Sequence, residues 1–291
     1  MPTLSISRFI ASGLRKLSPR RGIEYVLTLI GLIIIASFIF MAVFAPFISP
    51  YDPIKPSKDM LQSPNAKFLM GTDSLGRDIV SRIIYGTRIV LYITFLSMSL
   101  ALVCGVPFGL ISGYVGGKLD SVFSLFMDSV YSFPGLILAI ALAIMLGPGE
   151  IPMAISLTVV YIPTYFRMVR GQVLSVRESL FIESAKAIGA KDRTIIFRYV
   201  FPNVIPSIPI ILSLNAADAV LTAAALSFLG LGITAPTPDW GFDLKNGYPY
   251  LTSKIWWPST FPGLMIVLLT LGFSLFGEGI SEILNLKLRG R

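Results

Sequence analysis

Long apolar runs alternate with polar segments along most of the chain. A helix needs roughly 20 mainly apolar residues to cross the hydrocarbon core of a bilayer, and several runs reach that length. The pattern predicts six membrane-spanning helices, at about residues 25–46, 89–113, 122–146, 151–169, 204–229 and 258–280. We therefore expect an all-α membrane protein in which residues 25–291 form a six-helix bundle and residues 1–24 form a basic tail.

The Lys and Arg residues outside the apolar runs indicate an orientation. Sixteen of the 24 lie in the two terminal tails and in residues 114–121 and 167–203, and the other eight lie in the remaining loops. Cytoplasmic loops of membrane proteins carry an excess of Lys and Arg. Both termini are therefore predicted to be cytoplasmic, with external loops at about residues 46–88 and 230–257.

Composition supports a membrane protein. The chain is 54% hydrophobic and 14% charged, and its mean hydropathy is +0.76, whereas soluble domains carry about 25% charged residues. The net charge of +8 is explained by cytoplasmic loops, so no nucleic-acid partner is expected. The chain has no histidine, which excludes a Ser-His catalytic site and a His-ligated metal. Its single cysteine, Cys104, excludes an internal disulfide.

The longest predicted cytoplasmic loop has the features of two short helices. Ser175 followed by Glu178 fits a capping box, which predicts the start of a helix. This helix is predicted to run to Ile188, because Gly189 can adopt the left-handed conformation that ends a helix. Asp192 is predicted to cap the second helix.

The first of these helices is predicted to be amphipathic. Phe181, Ala185 and Ile188 fall at helical spacing and would form one apolar face. Glu183 and Lys186 would project from the opposite side. The result would be a compact knob suited to a groove on a partner, although an ordinary amphipathic loop would show the same spacing.

This loop, at about residues 170–203, resembles the EAA loop of permease subunits in ATP-driven bacterial and archaeal importers. The resemblance rests on residues 183–189 and on the Phe-Pro pair at 201–202, with Ser184 where the family commonly has a second alanine. In that family the loop docks onto a separate ATPase. The resemblance implies an ATPase-coupling role for Phe181, Glu183, Ser184, Ala185, Lys186, Ala187, Ile188 and Gly189.

Further segments are similar to the dipeptide/oligopeptide permease group of the same importers. They are residues 71–78, 226–232, 236–241 and 257–263. Together with the EAA-like loop they extend the resemblance over about residues 25–291, and they resemble the C-type permease of that group most.

The resemblance implies a type I importer permease fold with a cytoplasmic coupling helix, and a chain without enzymatic activity. The implied partners are a homologous B-type permease, two ABC ATPase subunits, an extracytoplasmic solute-binding protein and the lipid bilayer. The ATPase subunits would bind Mg-ATP, and this chain is expected to need no cofactor. The implied location is the inner or plasma membrane of a prokaryotic cell.

A few polar residues fall within the predicted spans. Asn215, Asp218 and Thr222 would form one polar stripe on the fifth span. The stripe could line the translocation path, or it could form hydrogen bonds between helices. Asp128 and Glu278 lie near predicted cytoplasmic ends, where snorkelling or loop contacts are expected.

The substrate and some rival functions stay open at this stage. The peptide group commonly has a glutamate where this chain has Ala223, so peptide and oligosaccharide uptake are both retained, with nickel less favoured without histidine. A channel or a secondary transporter fits the hydropathy alone. An intramembrane protease is not favoured, because this chain has neither a histidine to act as the base nor a Gly-x-Gly-Asp motif. An intrinsic ATPase is excluded, because the chain has no complete phosphate loop.

The predicted external loops contain two further features. Asp78 and Arg82 are spaced to form an ion pair on a short interfacial helix before the second span. Several aromatic residues in the last external loop suggest a membrane-interface belt more than a ligand site. They are Trp240, Tyr248, Tyr250, Trp256 and Trp257.

Overall fold

The computed structural model describes the backbone of residues 19–289 and the side chains of residues 22–284. Its α-helices are α1 (Pro19–Val43), α2 (Ala45–Ile48), α3 (Ile79–Val115), α4 (Gly117–Tyr131), α5 (Gly135–Leu146), α6 (Glu150–Arg177), α7 (Leu180–Ala187), α8 (Asp192–Ile195), α9 (Phe201–Val204), α10 (Ile208–Leu229), α11 (Trp240–Gly247) and α12 (Trp257–Arg289). A π-helical turn, Ile196–Val200, joins α8 to α9, and 3-10 turns lie at Ile205–Ser207 and Tyr248–Ser253. Most of the basic tail predicted for residues 1–24 lies outside the described residues.

Five of the predicted spans are single long helical segments. They are α1, α3, α6, the helical run from α8 to α10, and α12, all apolar and long enough to cross a membrane. The third predicted span is different, because α4 and α5 meet at an angle of 87°. The described part of the chain therefore has six apolar segments, as predicted, provided that this bent pair counts as one of them.

The break between α4 and α5 corrects the prediction of a straight helix at residues 122–146. Pro134 separates the two helices, with an extended ψ of 124°. Proline has no N–H for an intrahelical hydrogen bond, and it disfavours helical geometry at the residue before it. The apolar run continues across this point, so hydropathy gave no sign of the bend.

Helices α3 and α6 pack backbone against backbone along much of their length. Gly105, Gly109 and Gly113, spaced by four residues, line the contact. A Cβ atom on Gly105 would lie 2.7 Å from the Cβ of Tyr165, and one on Gly113 would lie 2.9 Å from the Cβ of Val173. Small residues at this spacing allow close approach of membrane helices, which contributes van der Waals packing that lipid cannot replace. The second and fourth spans therefore form a closely packed pair.

Residues 49–78, before α3, form an ordered loop, and this described range contains no separate helix. Asp78 caps α3, because its side chain accepts a hydrogen bond from the Ser81 backbone N–H at 2.8 Å. The helix then continues through 37 residues, about 55 Å at 1.5 Å per residue, which is longer than the hydrocarbon core is thick. The predicted pair of Asp78 with Arg82 is wrong, because Asp78 is used as the cap and Arg82 binds Asp243.

Two of the tryptophans in residues 230–257 are packing residues. Trp240 is fully buried and donates a hydrogen bond to the Ile83 carbonyl at 3.1 Å, and Trp257 is buried and donates to the Thr72 carbonyl at 3.1 Å. Both connect residues 230–257 to the segment around the start of α3. The belt prediction is therefore wrong for these two, whereas Tyr248 and Trp256 are exposed and Tyr250 is half-buried.

The buried apolar residues form two clusters. The larger one joins α1, α3, α5, α6, α10, α11 and α12. The smaller one lies towards the C-terminal ends of α3 and α6 and includes residues of the loop that follows α6. This smaller cluster positions the predicted coupling residues.

Candidate functional site

The coupling segment, defined as residues 178–203, begins where α6 ends. Helix α6 continues to Arg177, so Ser175 lies inside it and the predicted capping box is wrong. Val173, half a turn earlier, is fully buried, and this tertiary packing overrides the local capping signal. The chain leaves the helical conformation at Ser179, whose φ and ψ are −78° and 145°, and α7 follows.

Helix α7 packs one face against the bundle and leaves the other exposed. Ile182 and Ala185 are buried in the smaller apolar cluster. Leu180, Phe181 and Ile188 are instead 80%, 47% and 82% exposed. The predicted face of Phe181, Ala185 and Ile188 is therefore wrong in phase, because Ile182 is the large side chain that packs inward.

The outward side of α7 is the candidate coupling site. Its large apolar side chains alternate with small and charged residues, and Glu183 and Lys186 are exposed as predicted. We call it the coupling surface and define it as Leu180, Phe181, Glu183, Ser184, Ala187, Ile188 and Gly189. Exposed apolar side chains in one patch are typical of a surface that binds a partner protein.

Gly189 ends this unit in the conformation that its sequence position predicts. Its φ is +80°, and an added Cβ atom would meet nothing within 4 Å, so the backbone angle and not a lack of space favours glycine. Asp192 is the first residue of α8 and does not cap it, which corrects the sequence prediction. Its carboxylate instead accepts a hydrogen bond from the Tyr114 hydroxyl of α3 at 2.6 Å.

The predicted polar stripe on α10 meets a tyrosine of α6. The Tyr161 hydroxyl donates to the Asp218 carboxylate at 2.7 Å and lies 3.4 Å from the Thr222 hydroxyl. Asp218 is nevertheless exposed, whereas Thr222 is half-buried. The buried Nδ2 of Asn215 has no hydrogen-bond partner among the described residues. Sequence reasoning missed Tyr161, because one tyrosine in an apolar run carries no signal of its partner.

The depth of this cluster follows from helix geometry. Tyr161 lies eleven residues after the start of α6, and Asp218 lies eleven residues before the end of α10. At 1.5 Å per residue, both are about 16 Å from the same end of the bundle. Because the hydrocarbon core is about 30 Å thick, the pair lies near its middle, where an exposed carboxylate needs a polar environment.

The other two acidic residues of the predicted spans have different environments. Asp128 forms an ion pair with Arg167 of α6 at 2.7 Å, and both side chains are about half exposed. The Arg167 guanidinium also lies 4.1 Å from the ring centroid of Tyr131. Asp128 therefore makes a contact between helices in place of the expected loop contact, and Glu278 is exposed.

Buried charges connect the segment around the start of α3 to α11. Arg82 of α3 pairs with Asp243 of α11 at 2.6 Å, and Arg77 pairs with Asp73 at 2.6 Å. Burial raises the pKa of Asp243, and the adjacent Arg82 opposes that shift. These four charges balance, and removing one of them would leave a buried charge without a partner. The ion pair of Arg82 with Asp243 therefore holds the start of α3 against α11.

Comparison with known proteins places the chain in a family. Residues 105–290 match the model of the binding-protein-dependent transport system inner membrane component, which is more than half of the chain. The chain belongs to this family. Residues 27–65 also match the N-terminal transmembrane domain of oligopeptide transport permease C. These matches confirm the resemblance inferred from the EAA-like loop and the more specific segments.

Two relatives of this inner membrane component are named for peptide transport. The chain is 42% identical to the dipeptide transport system permease protein DppC of Alkalihalophilus pseudofirmus, over 90% of this chain and 86% of the relative. It is 36% identical to the di/tripeptide transport system permease protein DppC of Pseudomonas aeruginosa, over 89% of this chain and 88% of the relative.

A solved structure shows the same fold. A chain from the inward-facing MetNI methionine ABC transporter superposes with a TM-score of 0.58 at 21% identity, over 70% of this chain and 97% of that chain. At this identity the likeness concerns the fold alone. The predicted all-α permease fold of the type I importer kind is thereby confirmed, and the chain is a multi-pass component of a membrane transport system.

Proposed function

We propose that this chain is the transmembrane permease subunit of an ATP-driven importer of dipeptides and oligopeptides. The observation that carries the proposal is the similarity to dipeptide permeases over 90% of the chain, at 42% identity. The two relatives are named for transport of dipeptides and of di- and tripeptides, which supports peptides as the substrates of this chain. The presence of Ala223 in place of a glutamate had left oligosaccharides as the alternative substrates.

The coupling surface supports a docking role towards an ATPase. Leu180 and Ile188 project from the two ends of α7 with four-fifths of their side chains exposed, and residues 183–187 lie between them. In the proposed complex this surface fills a groove on an ABC ATPase, and Gly189 sets the turn that follows. Two ATPase subunits bind Mg-ATP, and this chain contributes no covalent chemistry and binds no cofactor.

The proposed complex has further subunits. A homologous B-type permease completes the membrane path, and an extracytoplasmic solute-binding protein delivers the peptide near the external loops, residues 46–88 and 230–257. The complex lies in the inner or plasma membrane of a prokaryotic cell, with both termini of this chain in the cytoplasm. The excess of Lys and Arg in the predicted cytoplasmic segments supports this orientation.

We assign the stripe of Asn215, Asp218 and Thr222 to the translocation path. The exposed carboxylate of Asp218 near the middle of the membrane supports this assignment, because a charge at that depth normally faces a watery cavity or a partner. Tyr161 orients the carboxylate by its hydrogen bond. Transport then follows alternating access, in which ATP-driven movement of the coupling surface changes the side to which the path opens.

The proposal is tested with the tagged chain purified from native membranes in mild detergent. Recovery of an ABC ATPase and a second permease is expected. After reconstitution with the solute-binding protein, a radiolabelled alanyl-alanine dipeptide should accumulate only with ATP, and maltotriose should not. Uptake without ATP would instead indicate a channel or a secondary transporter, and uptake of maltotriose alone would overturn the peptide assignment.

A variant pair makes the docking role specific. Ile188→Asp places a charge on the coupling surface and is expected to reduce ATPase recovery at least about tenfold, since burying an unpaired charge in an interface is costly. Leu75→Asp is the matched control, because Leu75 is an exposed apolar residue in an external loop. Equal ATPase recovery with both variants would contradict the coupling surface.

A further inference from the structure

The inner face of the coupling segment is fixed to the cytoplasmic ends of two spans. Ile182 of α7 and Ile195 of α8 are fully buried. They lie in the smaller apolar cluster together with Leu110 of α3 and Val173 of α6. The segment therefore rests on the α3–α6 pair, and it makes no contact of this kind with α1 or α12 among the described residues.

Tyr114, at the end of α3, supplies the polar part of this attachment. Its hydroxyl donates to Asp192 at 2.6 Å, and Lys186 Nζ lies 5.6 Å from its ring centroid. Within residues 22–284, the bond to Asp192 is the only side-chain hydrogen bond between residues 180–200 and either α3 or α6. The buried side chain of Tyr114 thus contacts both α7 and α8.

Arg177, the last residue of α6, also binds the end of α3. Its Nη1 donates to the carbonyl oxygens of Gly113 and Tyr114, at 3.3 and 3.0 Å. These carbonyls belong to the last turn of α3. The carbonyls of a last turn have no N–H partner within the helix, and they carry a partial negative charge that attracts a guanidinium group. The end of α6 is therefore tied to the end of α3 immediately before the coupling segment begins.

The α3–α6 pair can carry a displacement towards the middle of the membrane. The glycine contacts at 105, 109 and 113 keep the two backbones in direct contact. Arg170 of α6 also pairs with Asp120 of α4 at 2.6 Å. Farther along α6, Tyr161 holds Asp218 of α10. A continuous set of contacts thus links the coupling segment to the polar stripe.

We propose that Tyr114 is a positioning residue that transmits movement of the coupling segment to the α3–α6 pair. The inference rests on the proposed function and adds the residue through which the ATPase acts on the path. Without the bond from Tyr114 to Asp192, α8 can shift on the apolar cluster, so that part of the ATP-driven displacement is lost. ATP hydrolysis then continues while less peptide is moved for each ATP.

The test uses the complete transporter in proteoliposomes and measures both ATP hydrolysis and alanyl-alanine uptake. Tyr114→Phe keeps the buried ring and removes only the hydroxyl. We expect hydrolysis within about twofold of wild type and uptake per ATP lowered about fivefold, which is the size of effect that one net hydrogen bond produces. An unchanged uptake-to-hydrolysis ratio would overturn the proposal, and so would a parallel loss of both activities.

Variants of the acceptor distinguish positioning from a general structural defect. Asp192→Asn retains an oxygen that can accept the tyrosine proton and should keep the wild-type ratio, whereas Asp192→Ala should lower it as Tyr114→Phe does. Tyr92→Phe, an exposed tyrosine on the same helix, should change nothing. If wild-type proteoliposomes show no ATP-driven uptake, the proposed function fails; if they do and Tyr114→Phe matches them, only this inference fails.

Discussion

Asp239 shows how a single buried carboxylate links the fold to pH. It caps α11 by accepting a hydrogen bond from the Phe242 backbone N–H at 2.8 Å, and it is 2% exposed. Burial raises its pKa from 3.8 to about 6, and the bond from Phe242 only partly opposes this shift. At neutral pH the Asp239 carboxylate that caps α11 is therefore charged, and burying this charge costs free energy of folding.

The stability of the protein should depend on this residue between about pH 4 and 6. In that window the folded state binds more protons at Asp239 than the unfolded state does, so its contribution falls as the pH rises. Asp239→Asn keeps a capping oxygen and removes the titration. The melting temperature of the variant relative to wild type should therefore increase from pH 4 to pH 7.

Thermal unfolding of the detergent-solubilised protein across this pH range measures the difference. Asp52→Asn is the control, because Asp52 is an exposed aspartate in the loop between α2 and α3. If the Asp239→Asn and wild-type curves stay parallel, burial of this carboxylate does not contribute to the pH dependence.

Residue identity alone predicted some side chains and missed others for a common reason. Gly189 was identified because its role is local and depends on its own φ angle. Arg82 was assigned the wrong partner, because a sequence offers neighbours at helical spacing whereas the actual partner, Asp243, is 161 positions away. Tyr114 and Tyr161 gave no signal, since their partners lie on other helices.

At the scale of elements, the turn that follows α7 depends on the positive φ angle of Gly189. Gly189→Ala should weaken recovery of the ATPase by a fewfold, because a left-handed conformation costs a non-glycine residue about 1–2 kcal/mol. Gly189→Asn should be milder, since asparagine tolerates this conformation better. The measurement is the amount of ATPase that copurifies with each variant.

Gly171 provides a matched control for this prediction. An added Cβ atom at Gly171 also meets nothing within 4 Å, but this residue lies inside α6, where alanine is favoured. Gly171→Ala should therefore leave ATPase recovery unchanged. A loss as large as that of Gly189→Ala would show that the added methyl group, and not the backbone angle, causes the effect.

Elements were predicted well where burial and periodicity agree. The long helices α1, α3, α6 and α12 were predicted from their apolar runs, because a helix is the conformation that buries such a run in a membrane and also pairs its backbone groups. The phase of α7 was wrong, because Phe181 and Ile182 are adjacent apolar residues and only the tertiary structure decides which one packs. The bend at Pro134 was missed because both sides of it are equally apolar.

For the whole molecule, hydropathy predicted the number of apolar segments, but not which spans pair or that the start of α3 contacts α11. The close contact of α3 with α6 depends on three glycines, and glycine is common throughout membrane helices. The ion pair of Arg82 in α3 with Asp243 in α11 joins helices that are far apart in sequence. Such contacts require the spatial arrangement, because loop composition is compatible with many pairings.

The orientation of the whole chain can be tested through its single cysteine. Cys104→Ser gives a cysteine-free background, into which Leu75→Cys and Ile188→Cys are introduced separately at exposed positions at opposite ends of the bundle. A membrane-impermeant maleimide should label residue 75 in intact cells and residue 188 only in inverted vesicles, since the excess of Lys and Arg predicts a cytoplasmic coupling segment. Bound ATPase should slow labelling of residue 188 and leave residue 75 unaffected. Labelling of residue 188 in intact cells would reverse the orientation and separate the coupling surface from any cytoplasmic ATPase.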